Sequence, residues 1–118
     1  MTPKAANEKQ LTPVAVQILL SLSDCELHGY GIKLDIESRT GGDMSLGSGT
    51  LYEAIQRLRR DGLIAETNDR RAGDDGRKRR YYRLTDFGRG NLERELAGME
   101  AIVSFARSRN LIPDSRPA

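Results

Sequence analysis

The sequence predicts a mainly α-helical chain with one small β-hairpin and a long C-terminal helix, and three observations carry that expectation. Apolar residues recur at helical spacing in four stretches separated by polar or glycine-containing breaks. A strongly basic segment with an Asp75-Gly76 turn signal lies between two β-prone runs, IAETND and RKRRYYRL. The last apolar series, Leu92 to Ala106, is longer than a chain of 118 residues needs for its own core.

The first helix is expected to start at Thr12-Pro13, because threonine caps free amide groups and proline is tolerated at the first helical position. Val14, Ile18, Leu19 and Leu22 form its stripe, and it runs to about Ser23. A second helix covers Gly29 to Arg39, with Ile32, Ile36 and the stem of Tyr30 on one side and TGG as its stop. The third helix, in GSGTLYEAIQRLRRDGLI, buries Leu51, Ile55 and Leu58 and ends at Gly62. It has two possible starts: Gly47 or Ser48 as the cap, which is preferred, or Thr50 with Glu53 as a capping box.

Along the second strand of the hairpin, alternation puts Tyr82 and Leu84 on one face and Tyr81 and Arg83 on the other. Thr85 caps the final helix, where Leu92, Leu96, Met99, Val103 and Ala106 step by four, three, four and three, and Ile102 and Phe105 broaden the seam. From Asp86 to Asn110 that helix spans about 37 Å at roughly 1.5 Å per residue. An identical helix from a second chain is the simplest cover for such a stripe, so Leu92, Leu96, Met99, Ile102, Val103 and Ala106 are the expected dimerisation residues. The domain reading is a flexible arm over 1–10, a helical and hairpin domain over 11–84, the dimerisation helix over 85–112 and a flexible tail over 113–118.

The net charge of +2 says little about partners, but its distribution says more. Residues 70–83 hold seven basic and two acidic side chains, leaving twelve basic and fifteen acidic residues elsewhere. Positive charge is therefore concentrated on the hairpin. With Cys25 as the single cysteine, no intrachain disulfide can form. No stretch approaches the roughly 18 apolar residues that cross a bilayer, and the N-terminus has no signal-peptide core, so no membrane partner and a cytoplasmic location are expected.

Three helices followed by a basic hairpin are the order of a winged helix-turn-helix, in which the second helix supports a third in the DNA major groove. The blocks LHGYGIKLDIE, GSGTLYEAIQRLRRDGLI and GRKRRYYRLTDFGR resemble the three successive signatures of the PadR family of bacterial transcriptional regulators. The resemblance spans roughly residues 11 to 110. It implies a homodimeric winged-helix repressor that dimerises through its C-terminal helix, and the single long helix is similar to that of the family's small members. Members respond to phenolic acids or amphipathic drugs, which implies a small-molecule effector here; the tryptophan-stacked pocket of some drug binders does not carry over, because the chain has no Trp.

Double-stranded DNA is the expected partner on physical grounds as well. Gly47 and Gly49 allow backbone to approach a phosphate at the start of the third helix, where free N–H groups and the helix dipole favour an anion. Ser48 and Thr50 can add hydroxyl donors, although the same residues also serve as plain capping residues. Gln56 and Arg57 suit adenine and guanine edges. Glu53 can accept from cytosine or repel phosphate unless Arg57 pairs with it. Tyr52, which matches the tyrosine of the family's T-L-Y signature, is either a phosphate contact or a core tyrosine with a wet tip. Tyr30 and Lys33 are expected to touch the DNA backbone, and Arg77, Lys78, Arg79 and Arg80 to neutralise phosphates from the wing.

His28 reads as a hydrogen-bonding turn residue and Cys25 as a small core residue or incidental thiol. With Asp24 and Glu26 they match no common zinc spacing, so neither metal nor cofactor is expected. No nucleophile elbow, phosphate loop or paired-carboxylate cleft is suggested, so no enzyme is expected. The alternative is a winged helix used as a protein-interaction module, without sequence-specific DNA binding.

Overall fold

The computed structural model describes residues 10–67 and 80–113. The expected turn at Asp75-Gly76, residues 1–9 of the expected arm (1–10) and residues 114–118 of the expected tail (113–118) lie outside them. The elements are α1 (Pro13–Ser21), β1 (Leu27–His28), α2 (Gly29–Arg39), α3 (Ser48–Arg60), β2 (Ile64–Glu66), β3 (Tyr81–Leu84) and α4 (Asp86–Ser108).

Capping chemistry explains most boundaries. Thr12 Oγ1 accepts from the Ala15 N–H at 3.1 Å, with Pro13 in the first turn. α1 stops at Ser21, two residues before the expected end, with Leu22 as its C-cap. α2, α3 and α4 each end in the same hydrogen-bond pattern. Gly42 N–H reaches Glu37 O at 2.9 Å, Leu63 N–H reaches Leu58 O at 2.9 Å, and Leu111 N–H reaches Ala106 O at 3.0 Å. The residue before each donor carries a positive φ: Gly41 at 61°, Gly62 at 80° and Asn110 at 61°. A left-handed residue is what this Schellman closure requires, and glycine or asparagine adopts it most readily.

The sheet has the order β1-β3-β2 and is antiparallel throughout. β1 is one strand more than the expected hairpin; it pairs Leu27 with Tyr82 and His28 with Tyr81. Two residues carry no periodicity of their own, so this strand exists only through its partner. On β3 Tyr82 is buried and Arg83 exposed, as the alternation requires.

α1 is central and packs against α2, α3 and α4. Ile18, Leu19 and Ile32 are fully buried, and Ile36, Ile55 and Ile64 nearly so; each such side chain contributes roughly 1.5 to 3 kcal/mol through burial. Tyr30, by contrast, is 56% exposed, so its ring lies outside the Ile32 and Ile36 side of α2. Arg39 ties α2 to α1: its guanidinium donates to Asp35 Oδ2, Gln17 Oε1, the Gln17 carbonyl and Ser21 Oγ. At the other side of α1, Arg89 of α4 donates to the Ser23 carbonyl at 2.9 Å and Glu95 accepts from the Leu11 N–H.

α4 is about 35 Å long at roughly 1.5 Å per residue. Its apolar series divides in two. Leu92, first in the expected seam, is buried in the chain's own core, and Leu96 packs half-buried against that core. Met99, Ile102, Val103 and Phe105 are exposed, while Ala106 is half-buried.

Candidate nucleic-acid interface

α3 begins at Ser48 with Gly47 as its cap, the earlier of the two starts, and no side chain caps it. Its first N–H groups therefore lack side-chain partners, and the space beside Gly47 and Gly49 is open: a Cβ at either would meet nothing within 4 Å. An uncapped, unobstructed helix start can take an anionic oxygen on backbone N–H groups. Ser48 and Thr50 are exposed beside it.

The three sides of α3 do different things. Leu51, Ile55 and Leu58 enter the core, while Thr50, Glu53, Arg57 and Arg60 are exposed. Glu53 makes no ion pair with Arg57 among the described residues, so its carboxylate is free to accept a hydrogen bond. The remaining flank, Tyr52, Gln56 and Arg59, faces the sheet. Tyr52 neighbours Tyr82, whose phenol is pushed above its usual range by burial first and then by the nearby Tyr52 and Glu66. Arg59 donates to Gln56 Oε1 at 3.3 Å and lies 3.7 Å from the Glu66 carboxylate. Gln56 Nε2 is buried without a partner among the described residues.

A cleft of about 310 Å³ opens where α2, α3 and β3 meet, and it collects five of the expected contact residues: Tyr30, Lys33, Ser48, Tyr52 and Arg80. Its floor is apolar, from Leu51 and Ile55. Lys33 does not point a free charge into it: its ammonium sits 2.9 Å from Glu37, which also accepts from Ser45 at 2.9 Å. The Glu37 hydrogen bond raises the Lys33 pKa, so this side chain stays cationic. Arg80, 57% exposed, stands at the base of the basic hairpin with Nε 3.7 Å from Glu66. Arg77, Lys78 and Arg79 lie outside the described residues. His28 anchors the rim: Nδ1 accepts from the Gly31 N–H at 3.0 Å, and its ring meets Tyr81 edge to face.

Arg59, Glu66 and Tyr82 join this surface in addition to the contact residues expected from the sequence. The signal for Arg59 is present, since 52, 56 and 59 share one helix flank at i, i+4 and i+7. What that flank touches depends on the strand register, which pairs Glu66 with Tyr82.

Residues 18–94 match the transcriptional regulator PadR-like family. The chain belongs to that family. A relative, transcriptional regulator Rv3488 of Mycobacterium tuberculosis, is 37% identical over 96 residues, spanning 81% of this chain and 84% of that protein. A PadR family transcription regulator from Clostridium difficile R20291 superposes with a TM-score of 0.69 at 25% identity, over 82% of this chain and 97% of the other. Bacillus subtilis PadR, whose structure is in complex with operator DNA, superposes with a TM-score of 0.62 at 25% identity, over 72% of this chain and 47% of that one. The α1, α2, α3 order with its three-stranded antiparallel sheet is the winged helix of PadR-like regulators. Among the described residues no helix is long and apolar enough to cross a membrane.

Proposed function

We propose that this PadR-like regulator binds a pseudo-palindromic operator in double-stranded DNA as a homodimer and represses transcription there, acting in the cytoplasm and not as an enzyme. In each subunit α3 enters the major groove, with Glu53 and Arg57 at base edges and Ser48, Gly49 and Thr50 on phosphate. Tyr30, Lys33 and Tyr52 contact the adjacent backbone, Arg80 and the basic run Arg77 to Arg79 form the wing, and Gln56 reads bases only as far as Arg59 releases it. Release by a small-molecule effector completes the reading and is supported by the family resemblance alone.

The observation that carries the reading is the uncapped start of α3, opening beside the cleft that gathers Tyr30, Lys33 and Arg80. The operator complex of the B. subtilis relative supports it by analogy. Selection of bound duplexes from a random pool tests it directly, with an inverted repeat as the expected outcome. In mobility shifts, Lys78→Ala with Arg79→Ala should weaken binding to every duplex and flatten its salt dependence. A wild-type protein that ignores DNA at about 50 mM salt would hand the chain to the protein-interaction alternative, for which the exposed stripe Met99, Ile102 and Phe105 is the favouring feature.

A further inference from the structure

We propose that Glu66 is a specificity-determining residue of the DNA-binding surface: it neutralises Arg59 and Arg80 together and so suppresses binding to random duplex. The inference rests on the DNA-binding reading above. Its basis is a juxtaposition of three elements. Glu66 ends β2, Arg59 comes from the sheet-facing flank of α3, and Arg80 immediately precedes β3. The two guanidinium groups approach opposite oxygens of the one carboxylate, Arg59 at Oε2 and Arg80 at Oε1, each at 3.7 Å.

The geometry fits charge control better than fold stabilisation. Both arginines are about half exposed and the distances are long, so these pairs add little to stability. Their electrostatic effect on a polyanion is larger. Affinity for random DNA comes almost entirely from phosphate neutralisation, and each additional phosphate contact steepens the salt dependence by about 0.9. Two arginines sharing one carboxylate act as a single net positive charge, at the junction between the recognition helix and the wing. Arg59 also holds Gln56 Oε1, so the same carboxylate keeps Gln56 in one orientation. Operator binding also draws on base contacts, which Glu53 and Arg57 supply in the reading above, whereas random binding depends only on charge.

Glu66→Gln is the test, with mobility shifts against an operator duplex and a random duplex over a range of salt. The expected result is tighter random binding, a salt slope steeper by about 1, and a ratio of operator to random affinity lowered at least about threefold. Glu66→Asp keeps the charge and should keep the wild-type slope. Glu93→Gln, on the exposed side of α4, changes the net charge by the same amount far from this junction and should leave the ratio unchanged. Equal behaviour of Glu66→Gln and Glu93→Gln overturns the proposal, as does a Glu66→Gln protein that fails to fold, since the carboxylate would then be a fold residue. A wild-type protein that binds no duplex fails the DNA-binding reading itself and takes this inference with it.

Discussion

Gly88 lies in the first turn of α4 where it crosses the entrance to β2, and a Cβ added there would fall on the carbonyl oxygen of Leu63. That obstacle is backbone and cannot rotate away, so Gly88→Ala should destabilise the fold by about 1 to 3 kcal/mol. Gly90, two residues on, has nothing within 4 Å of the same position. Gly90→Ala should instead stabilise by about 0.5 to 1 kcal/mol, through the lower conformational freedom of alanine in the unfolded chain. Denaturant titration of the two variants beside wild type measures both signs. Asp35 offers a pH test. The Ser21 hydroxyl first, and the Arg39 guanidinium second, hold its carboxyl below the ordinary 3.8. A carboxylate depressed in the folded state stabilises above its unfolded pKa, and that contribution disappears as pH falls through the lower, folded value. Asp35→Asn should therefore lose less stability than wild type when the pH is taken from 7 to below 3.8, as thermal melts at the two pH values would report.

At the scale of the element, α4 is one helix whose apolar side is buried up to Leu96 and exposed beyond it, the exposed part being the proposed seam. Leu92→Ala removes a side chain that is 4% exposed within the chain's own core and should cost about 2 to 5 kcal/mol. Ile102 is 70% exposed, so Ile102→Glu should leave folding intact and shift sedimentation from dimer to monomer. An unchanged dimer would remove Ile102 from the seam. This division was not legible in the sequence, because a heptad-like series looks the same whether its cover is the same chain or another. Helix ends were legible, since Thr12, Thr85, Gly41 and Gly62 each advertise a specific capping geometry. The start of α3 was readable only as a preference between two caps, because GSGT contains several residues able to cap. β1 could not be read, and neither could the sheet-facing role of Tyr52, Gln56 and Arg59. Both depend on strand pairing between segments far apart in the chain, and the basic hairpin gave charge without register.

For the whole molecule, the proposed twofold assembly has to bring two α3 helices to about 34 to 36 Å, one turn of duplex DNA. Half-sites recovered from a random pool should then be centred roughly 10 base pairs apart, and insertion of five base pairs between them should abolish binding by turning one half-site to the opposite face. The Thr85 side chain bears directly on that distance. Its hydroxyl lies 2.7 Å from the Gly62 carbonyl and 3.0 Å from that of Leu63, and accepts from the Gly88 N–H at 2.9 Å. One oxygen atom thus clasps the exit of α3 to the entry of α4. With that joint stiff, α4 behaves as a lever arm, and a tilt of about 10° at the joint sweeps its far end through roughly 6 Å over a length near 35 Å. Small changes in how two such arms cross would then retune the reach of the pair, placing the gauge of the calliper far from the jaws that close on DNA.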